Sequence, residues 1–132
     1  MASRQVIRRF DRPANQWAAG HRGLDLAARA ADPVTAVEDG VVTYAGVVAG
    51  VGVVAVTHAD GLRSTFQPVK ATVIVGERVR AGQVIGAVLL SGSHCAPAVC
   101  LHLGAVRGSH YLDPWPLLVR SPIVLLPVDP ES

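Results

Sequence analysis

Two histidines and one aspartate are the residues of this chain whose types and spacing are best suited to chemistry. His21 and Asp25 lie four positions apart, and His102 follows much later, directly after Cys100 and Leu101. Two imidazoles and one carboxylate form a complete protein ligand set for a catalytic zinc ion, which keeps its fourth position for water. The three residues therefore indicate zinc-dependent hydrolysis if the fold brings them together.

The segment around His102 must turn this imidazole away from the core if it is to bind a metal. Residues two apart in a β-strand share a face. Cys100, His102 and Gly104 would then share one face, and the leucines on either side of His102 would face the core. Taken alone, a histidine in such a position is more often an ordinary surface or core residue than a ligand.

Composition favours a single domain built mostly from β-strands. The chain has 132 residues, half of them hydrophobic, with 13 glycines and 9 prolines. Many valines with frequent turn residues are typical of short strands and tight turns, so few or no helices are expected. One helical turn can begin at Asp113 and Pro114. The net charge of +2 and the absence of a lysine run give no reason to expect a nucleic-acid partner.

The uncharged stretch of residues 40–57 has two interpretations. Its length approaches that of a membrane-spanning helix, but its four glycines and many β-branched residues favour a hairpin of residues 41–48 and 51–58. We therefore predict no membrane span. The predicted organisation is an irregular lead over residues 1–20, one domain over residues 21–119, and an extended arm over residues 120–132.

The two cysteines suggest the compartment. Cys95 and Cys100 have four residues between them, a spacing compatible with a disulfide, a metal site or coincidence. A disulfide is favoured, and it would indicate an oxidising compartment. The start, Met1-Ala2-Ser3, has no hydrophobic signal region, so the protein is either cytosolic or has lost a preceding signal or anchor segment. We expect the latter, with a secreted or cell-envelope location.

Six segments carry a family resemblance, and in chain order they are residues 20–26, 33–42, 56–62, 76–86, 101–103 and 111–114. Together they resemble the lysostaphin-type (LytM-like) zinc metallopeptidases, which cut bacterial cell-wall peptides. The resemblance spans residues 10–118, and it is nearest to an actinobacterial secreted branch. It implies a compact antiparallel β-sheet or sandwich core with a metal groove, Zn²⁺ bound by His21, Asp25 and His102, and a peptidoglycan stem or cross-bridge peptide as substrate.

Two departures from this family affect the chemistry that the resemblance implies. Cys100 stands where the family has the first histidine of a His-x-His pair, and Pro68 stands where it has the histidine of a Tyr-x-His-Leu segment. The usual general-base histidines are therefore absent. His94, beside Cys95, is a candidate substitute base, although a solvent-facing loop histidine is the simpler interpretation. Gln67 is a candidate hydrogen-bond donor to a carbonyl or an oxyanion.

The sequence is compatible with three functions of this chain. The first is a zinc endopeptidase for peptidoglycan peptides, with activity weakened by the missing histidines. The second is a catalytically inactive family member that binds cell wall or a remodelling partner. The third is a carrier domain of the biotinyl or lipoyl kind, suggested by residues 76–86. Such a domain needs a lysine at a hairpin tip, and the only lysine, Lys70, is a poor match beside Pro68.

Overall fold

The computed structural model describes residues 6–8, 23–90 and 99–120. Most of these residues lie in strands, as the composition predicts. The strands are β1 (Val6–Arg8), β2 (Leu24–Ala27), β3 (Pro33–Thr35), β4 (Gly40–Val48), β5 (Val51–Thr57), β6 (Arg63–Gln67), β7 (Val69–Ala71), β8 (Arg78–Val79), β9 (Val84–Val88), β10 (Cys100–Arg107) and β11 (His110–Leu112).

The described strands form two antiparallel sheets. The larger sheet has the order β1-β2-β10-β6-β5-β4-β8, and β11 pairs with β10 beside the end of β2. The smaller sheet has the order β3-β9-β7. The predicted fold class, an antiparallel β core with few helices, is confirmed.

The predicted hairpin of residues 41–48 and 51–58 is confirmed as β4 and β5. Val48 pairs with Val51 across a two-residue turn. Both turn residues have positive φ, 50° at Ala49 and 82° at Gly50, which is the backbone conformation of the turns that match strand twist. Among the described residues, no helix has the length and hydrophobicity of a transmembrane segment.

The core lies between the two sheets. Gly52 of β5 allows this packing, because a Cβ atom at this position would collide with the carbonyl oxygen of Val69 in β7. The smaller sheet therefore approaches the larger one closely at this point, and their apolar side chains form one cluster. Its fully buried members include Leu24, Leu26, Val34, Val54, Val56, Phe66, Val69, Ile85, Leu101 and Leu103.

Both ends of the described chain have regular secondary structure. The lead of residues 1–20 is not irregular throughout, because Val6–Arg8 pairs with β2 as an edge strand. The predicted helical turn is the longer helix α1 (Trp115–Arg120), whose Trp115 amide donates to Asp113 Oδ1 at 3.0 Å. This carboxylate caps the helix start, and Leu117 and Leu118 are buried in the core. The predicted arm beyond Arg120 lies outside the described residues.

Candidate active site

Asp25 and His102 lie together on neighbouring strands. They are direct partners in the antiparallel register of β2 and β10, and His102 Nδ1 is 3.0 Å from Asp25 Oδ1. The Asp25 side chain is 1% exposed and that of His102 is 17% exposed. The leucines next to His102 are buried in the core. The alternation predicted for this strand is therefore confirmed, and it places a buried carboxylate against a partly open imidazole.

Gln67 extends this pair into a row across three strands. His102 is the direct partner of Gln67 in the register of β10 and β6, on the side opposite Asp25. Directly opposed residues of antiparallel strands project to the same face. A carboxylate, an imidazole and a carboxamide therefore follow one another across β2, β10 and β6. We call Asp25, His102 and Gln67 the polar row.

An open groove lies on the same face of the sheet. Its volume is about 520 Å³. Alternate residues of β6 and β10 line its length, the tip of the β4–β5 hairpin lines one side, and Tyr111 lies at the other. His102 and Gln67 of the polar row open into this groove. The lining residues are Val48, Ala49, Val51, Val53, Arg63, Thr65, Gln67, His102, Gly104, Val106 and Tyr111.

Gly23 makes room for the His102 ring. A Cβ atom at this position would be 2.6 Å from His102 Nε2 and 2.7 Å from its Cε1, and it would collide with the Leu103 carbonyl oxygen. The ring is thus held between the Gly23 backbone and the Asp25 carboxylate. The sequence analysis did not identify Gly23 as a site residue. Its position between the two predicted ligands His21 and Asp25 could have indicated it.

The donor atoms of Asp25 and His102 are of types that zinc binds, and the distance between them fits a shared zinc ion. Zinc binds imidazole nitrogen at about 2.0–2.1 Å and carboxylate oxygen at about 2.0–2.2 Å in a tetrahedron, so neighbouring donor atoms lie roughly 3.3 Å apart. The 3.0 Å between Nδ1 and Oδ1 is close to this value. The described residues contain no cluster of three His, Cys, Asp or Glu side chains, and the third predicted ligand, His21, lies outside them.

The positions that depart from the family pattern flank the polar row. Cys100 is 1% exposed, two residues before His102 in β10, and Pro68 directly follows Gln67. Neither residue has an imidazole. Two further predicted site residues, the candidate base His94 and the second cysteine Cys95, lie outside the described residues. Their places in the site therefore remain predictions.

His58 has a structural role. It is 3% exposed, its Nδ1 lies 2.8 Å from the Asp39 carbonyl oxygen, and its Nε2 lies 3.0 Å from Ser64 Oγ. The Gly61 amide donates to the His58 carbonyl oxygen at 2.9 Å, closing the turn after β5. Both ring nitrogens are therefore engaged within the fold, as expected for a turn histidine that binds no ligand.

The model of a protein family described as Peptidase family M23 matches residues 19–114. This range is more than half of the 132 residues, and the chain belongs to peptidase family M23. The resemblance to lysostaphin-type enzymes is confirmed. The family is zinc-dependent in general.

Individual relatives agree with this assignment. An uncharacterised protein of Mycobacterium tuberculosis is 44% identical over 131 residues, covering 96% of this chain and 53% of that protein. The DD-carboxypeptidase/endopeptidase Mpg of Neisseria meningitidis is 33% identical over 103 residues, covering 77% of this chain and 24% of Mpg. The catalytic domain of the antimicrobial peptidase lysostaphin from Staphylococcus simulans has a TM-score of 0.74 at 25% identity, covering 87% of this chain and 92% of that domain. The chain thus spans about half the length of its mycobacterial relative.

Proposed function

We propose that this chain is a zinc-dependent endopeptidase domain of the cell envelope that hydrolyses peptidoglycan stem or cross-bridge peptides. The observation that carries the proposal is the Asp25–His102 pair, 3.0 Å apart beside an open groove. The names of two relatives support it, since Mpg is described as a DD-carboxypeptidase/endopeptidase and lysostaphin as an antimicrobial peptidase.

The proposed metal ligands are His21, Asp25 and His102. When bound, zinc would polarise a carbonyl and lower the pKa of a bound water to about 7. The buried Asp25 carboxylate contributes negative charge where the protein must stabilise a cation, and it also holds the His102 ring in place. Gly23 restricts the same ring from its other side. These contacts orient the imidazole before any metal binds.

Gln67 is proposed as a hydrogen-bond donor to the substrate. Its carboxamide lies next to His102 in the polar row, where a scissile carbonyl would lie if His102 binds the metal. An amide N–H can stabilise a carbonyl or an oxyanion through a hydrogen bond, but it cannot act as a useful base. The missing base typically costs about 10²–10⁴-fold in rate, so we propose a slow hydrolase.

His94 is proposed as the substitute base, held near the groove by a Cys95–Cys100 disulfide. Cys100 is buried in β10 two residues from His102, and no described cysteine is a free thiol. A bridge to Cys95 would therefore bring the neighbouring His94 towards the polar row. Such a bridge is typical of secreted proteins, which supports the proposed cell-envelope location.

The decisive experiment combines metal analysis with digestion of purified peptidoglycan. We expect about one zinc per purified chain and new peptide termini in the mass spectra, both lost after chelation and restored by added zinc. His94→Ala should keep the metal and lower turnover. Unchanged turnover in a His94→Ala variant that still carries zinc would exclude His94 as the base.

A non-catalytic role is the second candidate, and the residues at two positions favour it. Because Cys100 and Pro68 stand where the family has histidines, His102 is the sole imidazole among the polar row and these two flanking residues. In this case the groove binds wall peptide or a remodelling partner, and the metal only stabilises the fold. A zinc-loaded protein that binds peptidoglycan but releases no peptide would establish this alternative and contradict the endopeptidase proposal.

A further inference from the structure

One residue of the groove, Arg63, has a charged side chain that is neither a proposed metal ligand nor part of a described contact within the fold. Among its described lining residues, Arg63 is the sole arginine or lysine, and none is an aspartate or glutamate. Arg63 begins β6 and is exposed. No described residue forms an ion pair or side-chain hydrogen bond with its guanidinium group. A cation in a binding groove without a protein partner is free to bind an anionic group of a ligand.

The neighbouring Arg107 shows the opposite arrangement. It ends β10, where its Nη1 donates to the Asp60 carbonyl oxygen at 3.0 Å and its Nη2 donates to Asp60 Oδ2 at 3.1 Å. Arg107 does not line the groove. The two arginines therefore carry the same charge near the same end of the sheet, and among the described residues only Arg107 has an ion-pair partner.

The sheet register fixes the position of Arg63 relative to the polar row. Gln67, Thr65 and Arg63 alternate along β6, opposite His102, Gly104 and Val106 of β10. Arg63 is four residues from Gln67, and a strand rises about 3.3–3.4 Å per residue. Its Cα atom therefore lies roughly 13 Å along the groove from the polar row.

We propose that Arg63 is a specificity-determining residue that binds a carboxylate of the substrate peptide three to four residues from the bond beside the polar row. The inference rests on the proposed function for the identity of the substrate. Gly104 lies between the two points on β10 and has no side chain that would block an extended peptide along β6 and β10. Arginine suits the role because its planar fork matches a carboxylate with two parallel hydrogen bonds.

The test compares two synthetic stem peptides that differ only in one carboxylate, free in one and converted to a carboxamide in the other. Binding to the zinc-loaded protein is measured by calorimetric titration, and cleavage is measured in parallel. We expect about tenfold tighter binding of the free carboxylate, as for a hydrogen bond to a charged group at a partly exposed site. Raising the salt concentration should reduce this preference.

Two matched variants complete the design. Arg63→Gln should abolish the preference by raising KM for the free carboxylate with kcat unchanged, since the contact lies far from the reacting atoms. Arg107→Gln removes the same charge outside the groove and should keep the preference. Equal affinity of the wild-type protein for both peptides, or a preference that survives Arg63→Gln, would overturn the inference. A preference in binding without any cleavage would uphold the role of Arg63 and contradict the proposed endopeptidase activity.

Discussion

His58 directly follows β5 and His102 lies in β10 of the same antiparallel sheet, but their surroundings are opposite. His58 is enclosed, and its two ring nitrogens lie next to a backbone carbonyl oxygen and a serine hydroxyl. His102 is partly open to a groove and lies against the buried carboxylate of Asp25. An imidazole whose two nitrogens are both engaged within the fold fixes a turn, whereas an imidazole beside a carboxylate at a groove can hold a cation. The residue type alone does not separate these roles, and the hydrogen-bond partners do.

The largest expected effect is a loss of zinc affinity when the negative charge of Asp25 is removed. Asp25→Asn preserves shape but removes the charge, so zinc affinity should fall about 100-fold or more, beyond the loss typical of outer-shell changes. Chelator competition measures the affinity. Asp60→Asn makes the same chemical change away from the groove and should leave zinc binding intact. Unchanged zinc affinity in a folded Asp25→Asn protein would remove Asp25 from the ligand set.

A substitution of the enclosed histidine, His58, should instead lower stability and leave zinc binding intact. His58→Ala removes two hydrogen bonds, leaves a cavity and deprives the buried Ser64 hydroxyl of its hydrogen bond to His58. The free energy of unfolding should therefore fall by about 2–4 kcal/mol. Urea unfolding measures this loss. Zinc affinity of the folded variant should stay within a few-fold of the wild type, and a loss like that of Asp25→Asn would refute the structural role of His58.

Two glycines provide a matched pair, one beside each histidine. Gly23→Ala places a methyl group against the His102 ring, and Gly40→Ala places one 3.0 Å from His58 Nδ1 and 2.5 Å from the Thr57 carbonyl oxygen. Both should lower the free energy of unfolding by about 1–3 kcal/mol through overpacking. Only Gly23→Ala should also weaken zinc binding. Equal zinc affinities in the two variants would show that the Gly23 contact does not position His102.

The smallest effect concerns the exposed pair of Asp60 and Arg107. The Leu62 amide, and then the Arg107 guanidinium, lower the pKa of Asp60 below its ordinary value. The ionised form is therefore favoured in the folded state. Its small contribution to stability is present above the unfolded pKa, about 4, and disappears as the pH falls through the lower folded pKa. The unfolding difference between wild type and Asp60→Asn should shrink on acidification, and a difference that grows at low pH would contradict this assignment.

Much of the fold was predictable because its signals are local. The glycines and β-branched residues of an uncharged stretch predicted the β4–β5 hairpin, and strand periodicity predicted that His102 would face away from Leu101 and Leu103. The smaller β3-β9-β7 sheet was not predicted, because nothing within those short segments specifies which distant strands they meet. β1 was also missed, since its three residues become a strand only by pairing with β2.

The site was predictable in its residue types but less so in its geometry. Spacing and family resemblance identified Asp25 and His102. The contribution of Gly23 depends on the approach of a ring from another strand. The alignment of Gln67 with His102 follows from a pairing register that spans more than thirty positions. Such long-range contacts determine the polar row, and local patterns do not encode them.

The long separation between Asp25 and His102, 77 positions along the chain, also has a kinetic consequence. The two donor atoms meet only after β2 has paired with β10, and contacts between distant segments form slowly because closing a long loop costs entropy. A nascent chain that has not yet produced β10 cannot assemble the pair. Acquisition of metal at this pair would therefore mark a late stage of maturation, after most of the sheet is complete.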